Sequence, residues 1–205
     1  FLSSTVYMLK GMFNYKRESK VPTALEVLSK NLQNFVHDGP NFIFVHNYEP
    51  HPPARFDNNC KMSDVLGMGT NNWEDKTGYL ISIKCINEMI LKVSKKIINI
   101  DPNAIIIFQG DHGSAFGVDW NKSITEWTEN ELRERSGFIN MVKAPKECTE
   151  WLKNNLGQIN TIRFVFGCLQ GKKPNYLQEK SYLSVNPQNK DFGKFIEYEL
   201  PKNEK

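Results

Sequence analysis

AIIIFQGDHG, residues 104–113, is an apolar run that stops at a glycine and then sets a carboxylate and an imidazole side by side. Apolar residues from Ala104 to Phe108, bounded by turn formers, predict a buried parallel strand of an α/β sheet. Ligand-binding and catalytic groups of such sheets lie beyond the carboxyl ends of the strands. Asp111 and His112 occupy that position, and an oxygen donor beside a nitrogen donor suits one divalent cation such as Zn or Mn. Taken alone, the pair also fits a plain turn, because Asp and Gly are common turn residues.

Upstream, FIFVHNYEPHPPARFD, residues 42–57, repeats the pattern. Residues 42–45 predict a second core strand after the Gly39-Pro40 turn. His46 falls at its end, and His51 falls in a loop held by Pro50, Pro52 and Pro53. Proline fixes φ and restricts the residue before it, so this loop presents His51 with little conformational freedom. Of the remaining histidines, His37 reads as an ordinary surface residue and His112 belongs to the run above. His46 is equally suited to bonding the backbone at a strand end.

Between the two motifs, Tyr79, Ile83, Ile86, Ile90, Val93, Ile97 and Ile100 recur at steps of three and four. That stripe predicts a core-packing helix over 77–100, ended by Asp101 and Pro102. Strand, helix and strand in that order predict a right-handed βαβ crossover. Elsewhere the pattern predicts helices over 22–35 (Pro22 in its first turn), 149–155 (Thr149 as N-cap) and 160–169. Strands are expected over 138–142 and, at a sheet edge, 195–200. Residues 58–76 read as a long polar loop, either a substrate-facing lid or a surface excursion, and 201–205 as a frayed tail.

PHPPARFD, then a long helix, then IIIFQGDHG, then ERSGFINMVKAP (134–145), then NTIRFVFGCLQG with YLQEKSY (within 160–182) form an ordered series. The series resembles the C-terminal part of the sulfatase-like branch of the alkaline phosphatase superfamily. That branch includes sulfatases, lipoteichoic acid synthases and phosphoethanolamine transferases. The resemblance implies an α/β fold with an alkaline-phosphatase-like mixed sheet flanked by helices, with residues 1–205 as one C-terminal portion of the domain. It implies a metal-dependent hydrolase or transferase acting on phosphate or sulfate esters. Asp111 and His112 match two metal ligands of the family, and the cofactor implied is one divalent cation: Mn, Zn, Ca or Mg. His51 matches the histidine before proline that contacts the transferred or leaving group, a catalytic and substrate-binding role. His46 lies near it as a substrate-binding candidate. No chemistry is assigned to Arg55 or Asp57.

The family's nucleophile, a Thr, Ser or formylglycine-forming Cys, lies on an N-terminal strand with a further acidic ligand. The resemblance therefore implies a fragment that is inactive alone and completed by a missing N-terminal part of the same protein. Ser3, Ser4 and Thr5 stand too near the PHPP loop to match the nucleophile. Some phosphoethanolamine transferases carry another histidine in the stretch matching 114–130; this chain has none there, which argues against a two-metal arrangement. The implied substrate is an anionic ester, lipid- or glycan-linked. The implied parent is membrane-anchored with its catalytic domain outside the cytoplasm. The alternative is a catalytically silent domain that keeps the fold to bind a glycan or a partner.

Composition narrows the classes. A net charge of +3 is too small to call for nucleic acid. No apolar run approaches the ~20 residues that span a bilayer. The cysteines are Cys60, Cys85, Cys148 and Cys168, and the lack of any CxxC excludes a zinc ribbon or a thioredoxin motif. Cys85 and Cys168 fall in predicted helices and are expected to be buried as small hydrophobes. Cys60 and Cys148 fall in loops, where an oxidising compartment would let them pair.

Overall fold

A computed structural model describes residues 22–36, 39–62, 74–154, 156–185 and 189–198, and divides the chain into two units, 1–96 and 97–205. His37, Ser3, Ser4, Thr5, the 201–205 tail and the centre of the 58–76 loop lie outside the described residues.

In the first unit, helix α1 (Ala24–Phe35) starts where Thr23 and Glu26 form a capping box. The Thr23 hydroxyl accepts from the Glu26 N–H at 3.1 Å, and the Glu26 carboxylate accepts from the Thr23 N–H at 2.9 Å. Pro22 therefore precedes the cap instead of sitting in the first turn. Leu25, Leu28 and Leu32 form its buried face. Helix α2 (Lys76–Ile100) is capped by Asp75, whose carboxylate accepts from the Gly78 N–H at 2.8 Å. Lys96 Nζ donates to the Ser29 carbonyl at 2.8 Å, which ties α2 to α1.

The buried stripe of α2 is Gly78, Ser82, Cys85, Ile86, Ile90 and Val93, while Ile100 is exposed. Small residues on that stripe admit the PHPPARFD loop: a Cβ on Gly78 would lie 2.6 Å from Ala54 Cβ. The Cys60–Cys85 disulfide joins the turn that follows this segment to α2. Cysteine pairing thus differs from expectation, since the loop cysteines each bond a helix cysteine, Cys60 to Cys85 and Cys148 to Cys168. Spatial approach, which loop or helix membership does not encode, decides the partner.

Residues 42–45 do not form a strand, and Phe42 and Phe44 are 79% and 69% exposed. A strand needs a neighbour for its ladder bonds, and among the described residues none pairs with this run. The expected βαβ crossover is accordingly not formed there.

In the second unit, β1 (Ile106–Gln109) pairs antiparallel with β2 (Asn140–Lys143), in the register Ile106↔Lys143 to Gln109↔Asn140. The strand expected over 104–108 thus begins two residues later, runs antiparallel, and buries only Ile106 fully. The chain returns between the two through helix α3 (Glu129–Ser136), which reverses its direction. Lys143 Nζ donates to the Pro102 and Ala104 carbonyls and closes the turn that follows α2.

A 3₁₀ helix covers Lys146–Trp151, where a helix with Thr149 as cap was expected. The Thr149 hydroxyl instead donates back to the Lys146 carbonyl at 2.7 Å, inside the turn. Helix α4 (Gln158–Gln170) ends at Gly171 in the left-handed conformation (φ 62°), which glycine adopts without a Cβ clash. Its Phe164 is fully buried among Cys148, Leu156, Val142, Trp151 and Tyr176. A second core gathers Val118, Ile124, Trp127, Leu183 and Val185. Beside it, β3 (Ser181–Leu183) pairs antiparallel with β4 (Ile196–Tyr198), a partner not foreseen for the expected edge strand. The described fold is mixed α/β, with helices and two small antiparallel sheets.

Two carboxylates clasp this second core. The Ser123 hydroxyl donates to Asp191 at 2.5 Å, and Lys194 and the Ile124 N–H add bonds at 3.0 Å. The Ser123 hydroxyl first, and then Lys194, hold the Asp191 carboxyl down to about 2. The Asp119 N–H, followed by Thr128, holds Glu131 at about 2. A carboxyl depressed on folding stabilises above its unfolded pKa and loses that contribution as pH falls through its folded pKa. The melting temperature is therefore expected to hold from pH 7 to about 5 and to fall between about 5 and 2. Scanning calorimetry across that range checks this. Asp191→Asn should flatten the acid fall, and an unchanged slope would remove Asp191 from the account.

Candidate functional site

In the first unit the PHPP loop is held from inside. Glu49 is buried, and Arg55 Nη1 bonds its carboxylate at 2.9 Å, bridging the ends of the proline stretch. A buried charge of this kind needs its partner, so Arg55 holds the loop's shape. Asp57 organises the following turn: its carboxylate accepts from the Asn59 and Lys61 N–H groups, both at 2.9 Å.

The His51 ring packs tilted against Tyr48, with centroids 4.5 Å apart, and the His51 backbone N–H donates to the Tyr48 carbonyl at 3.1 Å. His51 Nδ1 lies 2.7 Å from the Pro52 carbonyl oxygen, an acceptor. In the neutral ring the proton therefore sits on Nδ1 and the lone pair on Nε2. His51 is exposed, so its imidazole is presented to solvent on a braced loop. His46 is exposed on the extended segment before it, not at a strand end.

In the second unit, Gly110 follows β1, its N–H bonding the Ile139 carbonyl at 2.9 Å. Its own carbonyl accepts from Gln158 Nε2 at 2.6 Å. The chain then turns through Asp111, His112 and Gly113. The His112 N–H donates to Asp111 Oδ1 at 3.0 Å, and His112 Nε2 lies 3.6 Å from Asp111 Oδ2. Two bonds of ~2.1 Å to one ion would span that separation, so the donor set fits a divalent cation. Sequence adjacency and the turn bring these two together. Among the described residues no three His, Cys, Asp or Glu side chains gather as a fuller ligand set.

Gly113 meets the end of α3. Its N–H bonds the Arg135 carbonyl at 2.9 Å, and a Cβ there would run into the Glu134 and Gly137 carbonyl oxygens. The Glu134 side chain holds the segment beyond: Ser114 Oγ and the Phe116 N–H bond Oε1 at 2.6 Å, and the Gly117 N–H bonds Oε2 at 2.9 Å. Arg135, the next residue, reaches His112. Its Nη1 is 2.9 Å from His112 Nδ1 and 3.2 Å from the Gly113 carbonyl, and its guanidinium sits 5.6 Å over the Trp120 ring. Burial pulls the Arg135 guanidinium below its ordinary pKa, opposed by the Asp111 carboxylate.

Glu49, Glu134 and Arg135 were not singled out by sequence reasoning. Glu134 and Arg135 open the ERSGFINMVKAP motif, of which only 138–142 is expected as a strand, and the separation of 23 positions between His112 and Arg135 leaves no local pattern to follow. Among the described residues no helix is long and apolar enough to cross a membrane.

A family model described as Sulfatase matches residues 8–160, a span that holds His46, His51, Asp111, His112 and Arg135. No curated protein and no solved structure matches the chain significantly.

Proposed function

The chain belongs to the sulfatase family, and on that premise we propose that it carries part of the active site of a metal-dependent enzyme acting on sulfate or phosphate esters, by hydrolysis or group transfer. Sulfatase domains are in general hydrolases of sulfate esters that use a divalent metal. The observation that carries the finer reading is the Asp111–His112 pair, with donor atoms 3.6 Å apart at the end of β1. Asp111 Oδ2 and His112 Nε2 would hold the cation. When bound, it offsets charge on a tetrahedral ester and lowers the pKa of a hydroxyl nucleophile. His51, braced by Tyr48 and Pro52, would contact the transferred group or protonate the leaving oxygen. His46 is proposed as a further substrate contact, and the full-length protein as the source of the remaining site groups.

Both disulfides, which use all four cysteines, support folding in an oxidising compartment. An extracytoplasmic domain of a membrane-anchored parent, with a lipid- or glycan-linked ester as substrate, is the reading we adopt. The alkaline-phosphatase-like mixed sheet belongs to the same proposal.

Cation binding tests it. Asp111→Asn is expected to weaken divalent binding by about 10- to 100-fold or more in calorimetric titration, at least the range seen for groups supporting metal ligands. In the full-length protein His51→Ala should lower turnover of an aryl sulfate or phosphate while cation content holds. Equal loss of both would make His51 a ligand. Unchanged binding in Asp111→Asn sinks the ligand assignment and favours a silent binding domain.

A further inference from the structure

We infer that the outward face of α4 is a docking surface for a lipid bilayer carrying anionic headgroups, against which the helix lies without spanning it. The inference makes no use of Asp111, His112 or His51, so it stands or falls separately from the ester-cleaving reading.

Helix α4 is apolar on two sides. Phe164, with Asn160 and Thr161, is buried on the core side, and Cys168 is crosslinked there to Cys148. On the other side Ile159, Ile162, Phe166 and Leu169 are 55%, 50%, 58% and 71% exposed. At 3.6 residues per turn these four fall within one arc of about 80°. A single exposed apolar residue is ordinary, but a row of four large ones marks a contact surface. The disulfide and the buried Phe164 hold the helix from behind, so the row is presented on a fixed support. With 13 residues α4 is shorter than the ~20 that span a hydrocarbon core, and its contact with a bilayer is interfacial.

Cationic groups stand beside this row. Gly171, in the left-handed conformation, turns the chain back, and the Lys172 N–H bonds the Gly167 carbonyl at 2.9 Å. Gly167 leaves room for the returning chain, since a Cβ there would lie 2.6 Å from the Pro174 ring. Arg163 Nη1 donates to the Asn175 carbonyl at 3.1 Å and fastens the fold-back. Ile159, Ile162, Phe166, Arg163, Lys172 and Lys173 thus share a hollow open to solvent, with no carboxylate among its lining residues. Apolar side chains beside cations, with no acid between them, complement an amphiphile whose head is an anion. A second copy of the chain complements this face poorly, because a two-fold contact would bring two sets of these cations into one interface.

Co-sedimentation of the whole chain with vesicles tests this. The wild type should bind vesicles of phosphatidylcholine and phosphatidylglycerol in equal parts and stay in the supernatant with phosphatidylcholine alone. Binding should fall as salt is raised to about 1 M, where the Debye length is ~3 Å. Phe166→Ser with Leu169→Ser should lower partitioning at least about tenfold, the worth of one buried apolar side chain, at an unchanged melting temperature. Lys172→Glu with Lys173→Glu should lower it about fivefold or more per lysine, and serves alone if the serine variant does not fold. Lys92→Glu with Lys95→Glu, at exposed positions of α2, makes the same change in net charge and should bind like the wild type. A wild type that fails to bind the anionic vesicles would overturn the inference. Equal losses in the two lysine pairs would also overturn it, since they would mean attraction by net charge alone. A dimer in sedimentation velocity that Phe166→Ser dissociates, without vesicle binding, would assign the face to a second copy. Vesicle binding that disappears in the full-length protein would give the face to another segment of that protein.

Discussion

Gly113→Ala is expected to destabilise the C-terminal unit by roughly 3 kcal/mol, the upper part of the range for overpacked sites. A Cβ at this position would overlap two main-chain oxygens, those of Glu134 and Gly137. Neither can swing aside as a side chain would, because both belong to the last turn of α3 and its exit. Relief requires the turn and the helix end to separate, which breaks the 2.9 Å bond from the Gly113 N–H to the Arg135 carbonyl. The same shift would draw Gly113 away from Arg135 Nη1 and His112 Nδ1, so cation binding should weaken together with stability. Gly110→Ala is the control: its nearest neighbour, a methyl of Ile139, would lie 3.6 Å from the new Cβ, an ordinary contact. Urea unfolding should place Gly110→Ala within about 1 kcal/mol of wild type. Equal effects of the two substitutions would show that the close approach at Gly113 does not control the turn.

Phe164→Ala should cost about 3–5 kcal/mol, the range for removing a large buried aromatic side chain. The ring is fully buried on α4 and packs with Leu156, Val142, Trp151 and the Cys148–Cys168 disulfide. A cavity is least costly where its walls can close in. Here the disulfide pins α4 to the 3₁₀ helix over Lys146–Trp151, and Tyr176 Oη adds a 2.6 Å bond to the Trp151 carbonyl. Denaturant unfolding under non-reducing conditions reads the loss directly. A change below about 1 kcal/mol would mean that this cluster collapses freely despite its crosslink.

Helices and the site respond differently to reading along the chain. α2 and α4 were legible to within a few residues, because a helix closes its bonds four residues apart and displays its buried face at a fixed step. Even so, Gly78 and Ser82 carry part of the buried stripe of α2 and are invisible to hydropathy, since they are small where the PHPPARFD loop comes close. The apolar run at 42–45 has the composition of a strand and no described partner, so composition alone misled. The direction of β1 was misread for a related reason: its neighbour is β2, about thirty residues on, reached through a helix that turns the chain back. Arg55, to which the sequence assigns no chemistry, pairs with Glu49 inside the loop that presents His51.

By itself, then, the sequence determined helices α1, α2 and α4, the proline-rich loop that carries His51, and the adjacency of Asp111 and His112, all of them matters of neighbours within a few residues, whereas α3 had no counterpart in the sequence reading. Only the tertiary structure decided which strands pair, which cysteines join, and that Arg135 meets His112. Those contacts join residues 13 to 37 positions apart, where the returning path of the chain selects one partner among many that local chemistry would equally allow.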